Sequence, residues 1–406
     1  MKIFHNKINL LSIIFSLYCA SIPFESILAA NGKTLSRYLA ILCAGAIIID
    51  FLAKKINKIE LNQNIKAGFI YFSWAFLSLI WTSDFDISIK YFWLIFKFFI
   101  FYIGIFNAIK YLNYIDINII KLLIIASTVI AAATAINLYS NNVTYLNSVR
   151  ASIIRGDSAA DPNHFAASLL LGLSLIFNMV LSRKKKITFP VTIGFFLLIL
   201  VILIAIVLSG SRAGLFGAGL IMLGSLIFNR ENIGRKVYGL ILLFLLGGII
   251  LYFTRGLSQE LLKRYDLSVI ISSGGAGRTD IWRSGLDSWR SRPILGYGIG
   301  MFSEIHLLNI GIWKVAHNIY LETIVDLGLI GLFLFLFFLG TALINIKKKS
   351  LDYFEKSTII SLYALSTVSF FLGTLNYDYF WITLLFSNIR FSPSVLRKQG
   401  DSRLYE

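Results

Sequence analysis

Charge is scarce in this chain. Asp, Glu, Lys and Arg together make up 15% of its 406 residues. Soluble domains carry about a quarter, so an ordinary globule with polar surface on every side is excluded. Cysteine is scarcer still: Cys19 and Cys43 are the only two, too few for a disulfide framework or a thiolate metal site. Both lie in apolar stretches and read as small buried residues. No carboxylate cluster points to a metal, and no internal repeat is present. The net charge is +17, but no compact soluble basic domain exists to carry nucleic acid. That charge points instead to anionic lipids or anionic substrates at a membrane surface.

Apolar residues are in excess, at 57%. They fall in runs of about 18–25, long enough to cross roughly 30 Å of hydrocarbon as helices. Twelve runs are predicted to span: 9–30, 36–53, 67–83, 91–109, 119–138, 163–181, 187–208, 212–229, 237–254, 317–346, 357–375 and 376–389. The first resembles a signal peptide but continues to Ala30 without a convincing cleavage site, so it reads as an uncleaved helix. The tenth exceeds what a bilayer needs and is expected to tilt or project. The basic clusters AKKINK, SRKKK, NRENIGRK and KKKSLDYFEK share one side, which predicts cytoplasmic N- and C-termini. The expected fold is an all-α polytopic membrane protein of about twelve helices. Residues 1–254 hold helices one to nine, 255–316 form a large loop on the outer side, 317–390 hold helices ten to twelve, and 391–406 form a cytoplasmic tail.

Three outer segments carry polar residues worth weighing. In SGSR (209–212), Arg212 stands among small residues that let a ligand approach a guanidinium, which binds phosphate oxygens bidentately. An arginine at a span end also snorkels to the interface. In the large loop, Ile281, Trp282, Gly285, Leu286 and Trp289 recur at helical spacing. They predict an amphipathic helix on the outer membrane surface, anchored by its tryptophans and ended by Pro293 and Gly296. Arg278 starts it and opposes the helix dipole, so it is either a solvated charge or a ligand contact. GYGIG (296–300) lacks the βαβ context of a dinucleotide loop.

His317 is one of only four histidines and opens span ten, followed by Asn318, Tyr320, Glu322 and Asp326. His317, Tyr320 and Ile324 are expected on one helical face. A lone histidine is usually structural, but imidazole is also the side chain poised for proton transfer near neutral pH. Asp161 is expected to cap span six, with Pro162 in the first helical position. Arg155 upstream would add charge to the same outer cavity. Asp378, in a short outer turn, is either solvated or a further participant.

With these residues in place, the chain resembles the O-antigen ligase and Wzy-type polysaccharide polymerase family. The resemblance is strongest over 209–332, where SGSRAG, GRTDIWRSGLDSW, PILGYGIGMF and AHNIYLETIVDLGLIG follow in the family's order. DPNHFAASLLL and YFSWAFLSLIWTSD (71–84) extend a looser match toward the N-terminus. The resemblance implies a GT-C-like glycosyltransferase of the bacterial inner membrane, working on the periplasmic side without nucleotide, cofactor or metal. Its donor would be an undecaprenyl-diphosphate-linked glycan. The acceptor would be lipid A–core for a ligase, or another lipid-linked repeat for a polymerase, and the motifs do not separate the two. The resemblance places the family's histidine on His317 and its arginines on Arg212 and Arg278, with Arg155, Asp161, Asn318 and Asp378 as supporting candidates. A transporter is the remaining alternative. Transporters usually show paired halves with coupling charges near the midplane, whereas these candidates lie at the outer face.

Overall fold

The computed structural model describes residues 10–25, 27, 33–53, 56, 58–109, 112, 114–145, 148–155, 158–182, 189–228, 233–254, 258–344 and 353–389. The expected tail 391–406 and much of the four basic clusters lie outside the described residues. The helices run α1 Leu10–Ser21, α2 Leu35–Leu52, α3 Gln63–Leu77, α4 Phe85–Ala108, α5 Tyr114–Ser140, α6 Pro162–Ser168, α7 Leu170–Ser182, α8 Phe189–Leu208, α9 Arg212–Phe228, α10 Ile233–Thr254, α11 Gln259–Lys263, α12 Leu267–Ser272, α13 Gly274–Ser291, α14 Phe302–Ile310, α15 Ile319–Leu343, α16 Tyr353–Val368 and α17 Asp378–Asn388.

Among the described residues, six helical segments are long and apolar enough to cross a membrane: Leu35–Leu52, Phe85–Ala108, Asp116–Ser140, Pro162–Leu181, Pro190–Leu208 and Ile319–Leu343. The other expected spans fall on shorter helices, except 237–254, which falls on α10, where Gly239–Gly248 is the apolar stretch. Span one stops early because Pro23 cannot donate to the helical ladder, and a 3₁₀ turn, Ile22–Phe24, follows α1. Two short antiparallel hairpins interrupt the otherwise helical chain between α5 and α6. Strand β1 (Thr144–Tyr145) pairs with β2 (Ser148–Val149), and β3 (Ile154–Arg155) with β4 (Ser158–Ala159).

The core is built on α7, which packs against α16, α9, α5 and α8. Apolar side chains gain little from leaving lipid for protein, so small and polar residues hold such helices together. Asn178 donates to Ser225 Oγ at 2.8 Å and Ser174 to the Ser357 carbonyl at 2.9 Å. On the other side, Asn64 of α3 donates to the Phe338 carbonyl of α15 at 2.7 Å and accepts from Tyr102 of α4 at 2.8 Å.

Helix α15 departs from expectation in two ways. It begins at Ile319, because the Asn318 side chain accepts the N–H groups of Tyr320 and Leu321. A capping residue has non-helical backbone, so His317 is left outside and shares no helical face with Tyr320 or Ile324. The helix is also broken at Gly328, whose φ of 68° and ψ of −170° are open to glycine alone. The break frees backbone groups that the 293–300 segment occupies. Tyr297 N–H donates to the Val325 carbonyl (3.0 Å), Gly298 N–H to that of Asp326 (2.7 Å), and Leu329 N–H to that of Pro293 (2.9 Å). GYGIG, a turn segment whose three glycines have positive φ, thus fills the break in the helix.

Four helices, α11 to α14, organise the large loop. Part of the apolar face of α13 packs on the protein: Ile281, Trp282 and Trp289 meet Phe302, Ala316, Leu321 and Val325. Both indoles are tied to backbone, Trp282 to the Ala316 carbonyl (2.9 Å) and Trp289 to that of Pro293 (3.0 Å). Trp282 ties the helix to the segment just before α15, while Leu286 of the same face stays exposed.

Candidate functional site

The site begins where α8 ends. The last carbonyls of a helix need outside donors, and here they are met by a converging set. Ala151 N–H reaches Leu208. The Tyr265 hydroxyl reaches Val207 at 2.7 Å. Arg150 Nε reaches Ser209 at 2.6 Å and Arg264 Nε reaches Gly210 at 3.2 Å. Gly210 itself has φ 61°, and a Cβ there would meet Leu261 at 2.8 Å and Arg264 at 2.9 Å. The turn therefore requires glycine on both conformational and steric grounds. It delivers Arg212 to the first position of α9.

The Arg212 guanidinium donates to the Gly275 carbonyl at 3.4 Å. Gly275 lies in the Gly274–Gly277 stretch that opens α13 and carries Arg278 onto the same wall. Together Arg212 and Arg278 line a cavity of about 350 Å³, otherwise mostly apolar, with Phe216, Ile270, Trp282 and Phe371. Burial first, then Arg212 nearby, makes the Arg278 cation less favourable than in water. Arg150 is pushed down to about 10 by burial and then by Arg264. Among the described residues, none of Arg150, Arg212, Arg264 and Arg278 forms an ion pair with a carboxylate. Arg212 and Arg278, without carboxylate partners, make a wall that an anion would relieve, and Arg150 and Arg264 add charge at the turn behind it.

A second cavity, of about 250 Å³, is lined by His317, Asp161, His164, Tyr91, Glu322, Asp326, Asn376 and Tyr377 among others. The two cavities adjoin through Trp282, which lines the first and bonds the carbonyl of the residue preceding His317. His317 has φ 49°. A non-glycine residue there costs about 1–3 kcal/mol, and such strain persists where the surroundings enforce it, often at functional positions. Burial, then the charge of Arg278, lowers the affinity of its imidazole for a proton.

The structure therefore brings Arg212, Arg278, His317 and Asp161 around two neighbouring cavities. Asp161 also caps α6 as expected, accepting the Asn163 N–H at 2.8 Å. The other three candidates lie elsewhere. Arg155 is exposed on β3 and lines neither cavity. Asn318 is spent capping α15. Asp378 is buried beneath α1, where its carboxylate accepts the Tyr18 hydroxyl at 2.8 Å.

Sequence reasoning missed several lining residues. His164 lies in the first turn of α6, hydrogen-bonded to the Tyr379 hydroxyl at 3.0 Å and stacked on Tyr377 with ring centroids 3.8 Å apart. It directly follows the DPN cap, and that adjacency was the signal available. Arg150 and Arg264 lie far from SGSR in the chain, so nothing local marks them. Glu322 and Asp326 follow His317 at near-helical spacing and read as span residues.

Residues 196–336 match the model of the Wzy_C family, O-antigen ligase. The matched stretch holds Arg212, Arg278, His317, Glu322 and Asp326. It excludes Arg150, Arg155, Asp161, His164 and Asp378. No curated protein and no solved structure matches the chain.

Proposed function

Proceeding from the O-antigen ligase-type domain matched at residues 196–336, we propose that this protein is a membrane glycosyltransferase that moves an undecaprenyl-diphosphate-linked glycan onto a sugar hydroxyl of lipid A–core. The match supports ligase- or polymerase-type activity in general, and the acceptor is the finer part of the reading. Twelve spans in a GT-C-like arrangement, with both termini in the cytoplasm, would put the 255–316 loop and both cavities on the periplasmic face of the bacterial inner membrane. The observation that carries the reading is the adjacency of the arginine cavity, nearly all of it from the matched stretch, to the cavity holding His317, half of whose lining comes from that stretch.

In this mechanism Arg212 and Arg278 bind the donor diphosphate and stabilise the charge that develops as it leaves. Arg150 and Arg264 hold the turn that presents Arg212. His317, kept neutral by burial and by Arg278, takes the proton of the acceptor hydroxyl as its oxygen attacks the anomeric carbon. The bond from that carbon to the phosphate oxygen breaks, and its electron pair departs with the lipid diphosphate. A single displacement of this kind inverts the configuration, and a retained anomer would refute it. No step calls on a metal, nucleotide or other cofactor.

The test is deletion of the gene in its host, with surface glycolipids resolved on a gel. Loss of all glycan-decorated lipid A–core while lipid-linked polymer accumulates supports the ligase. A core bearing a single repeat identifies a polymerase joining lipid-linked repeat units. Unchanged glycolipids and polymer exclude glycan transfer and leave a transporter or another role.

A further inference from the structure

Asp326 is 3% exposed and lines the cavity that holds His317. Its Oδ2 accepts the Gly300 N–H at 2.7 Å and the N–H groups of Met301 and Phe302 also approach the carboxylate, but its Oδ1 is buried without a partner in hydrogen-bond geometry. Asn376 lines the same cavity, and its Oδ1 is likewise buried and unpartnered. Glu322 adds a carboxyl group near the cavity edge, its oxygens within 3.9 Å of where a Cβ on Gly373 would lie. Among the described residues no Lys or Arg lines this cavity, although the chain carries a net charge of +17. Buried acceptors without donors are costly, and native proteins keep them where a ligand or ordered water supplies the hydrogen.

We infer that this cavity is the acceptor-sugar subsite, that it takes an edge bearing hydroxyl or ammonium donors, and that Asp326 and Glu322 set its specificity against sugars carrying a carboxylate there. The inference rests on the transfer reading above for the word acceptor. The two cavities divide the chemistry. Guanidinium donors in one suit phosphate oxygens, and carboxyl and amide acceptors in the other suit sugar O–H groups. A hydroxyl held by Asp326 and Glu322 lies in the cavity lined by His317, where its neighbour can give up a proton. A site built to hydrogen-bond a hydroxyl rejects an analogue lacking it. A uronic acid would in addition bury a carboxylate in a cavity whose described lining holds no Lys or Arg, a cost of the kind that sharpens specificity.

The probes are methyl β-D-glucopyranoside, its 2-amino-2-deoxy analogue and methyl β-D-glucuronide. They are titrated against the full-length chain in lipid nanodiscs by saturation-transfer NMR. The glucoside and the amino sugar should bind, and the glucuronide should bind about tenfold more weakly or worse. Glu322→Gln and Asp326→Asn should each narrow that gap, and if the Asp326 variant fails to fold, Glu322→Gln still keeps an oxygen for the Ala316 N–H that bonds the wild-type carboxyl. Gly373→Leu, which fills the cavity, should abolish glucoside binding. Equal binding of all three probes, binding of none, a gap unchanged in both variants, or binding that survives Gly373→Leu overturns the inference. The last of these would leave the cavity to ordered water. A wild-type protein that supports the glycolipid ladder yet shows no probe preference sinks this inference alone. Probe discrimination with unchanged glycolipids on deletion sinks the transfer reading and leaves a sugar site of another purpose.

Discussion

The backbone N–H of Gly300 points at a carboxylate oxygen of Asp326, 2.7 Å away. Through this bond the end of GYGIG is tied to the helix that His317 precedes. The same loop follows α13, which carries Arg278. The arginine and histidine cavities are therefore held in register by the 293–300 segment lying in the break of α15.

That register depends on Gly328. Its backbone conformation admits only glycine, and a Cβ there would strike the backbone of Ile294. Gly328→Ala should destabilise the protein by at least about 2 kcal/mol. Thermal unfolding in detergent should show a midpoint several degrees lower. Gly45→Ala is the control, since no atom lies within 4 Å of its Cβ position in α2. An unchanged midpoint for Gly328→Ala would mean that the break is not held as described.

In the proposed mechanism His317 should set the acid side of the pH dependence. Burial, then Arg278, places its proton affinity below the ordinary value, near pH 6.5 for histidine. The neutral base therefore persists to lower pH, and the acid limb of kcat/KM should lie below that value. Arg278→Gln removes a positive charge, so protonation becomes easier and the limb should move to higher pH. Arg278→Lys should leave the limb nearly in place. Asp161 favours the protonated form, so Asp161→Asn should move the limb further down. A limb at the same pH in all three variants would exclude His317 as the proton acceptor. His317→Ala itself should cost about 10²–10⁴ in rate.

The guanidiniums should read out as donor recognition. Arg212→Ala and Arg278→Ala should each lower kcat/KM for the lipid-linked donor by about 10²–10³. The double variant should lose less than the product, because both face one cavity. Arg290→Ala, whose exposed side chain pairs with Asp287, should behave as wild type. Equal losses in all three single variants would point to bulk charge instead of a site.

Asp378 should matter to stability and leave the chemistry untouched. Tyr18→Phe leaves the Asp378 carboxylate without its 2.8 Å donor and should cost about 1–3 kcal/mol. Folded protein should keep the wild-type kcat/KM. A catalytic defect at normal stability would bring Asp378 back to the active site.

These residues show how far the chain could be read without its fold. Asp161 was legible as a cap because Asp-Pro-Asn places the acceptor, the ring and the first N–H in adjacent positions. Arg212 was legible because SGSR is a polar island between apolar runs. The start of α15 was misjudged by two residues, since hydropathy cannot register the Asn318 side chain taking over the first turn. Periodicity marks the apolar face of α13 without naming what covers it, so only the fold shows its tryptophans bonded to the Ala316 and Pro293 carbonyls.

Composition and hydrophobic run length by themselves determined a helical chain with segments able to cross a membrane, since apolar helices satisfy their own backbone and lipid satisfies the side chains. Local capping, glycine and small-residue patterns determined where Arg212 and Asp161 stand. Only the tertiary structure decided that Arg150 and Arg264 support the SGSR turn, that GYGIG fills a broken helix, and that His317 shares a cavity with His164, Glu322 and Asp326. Those juxtapositions join residues distant in the chain, and the packing that creates them leaves no periodic trace along it.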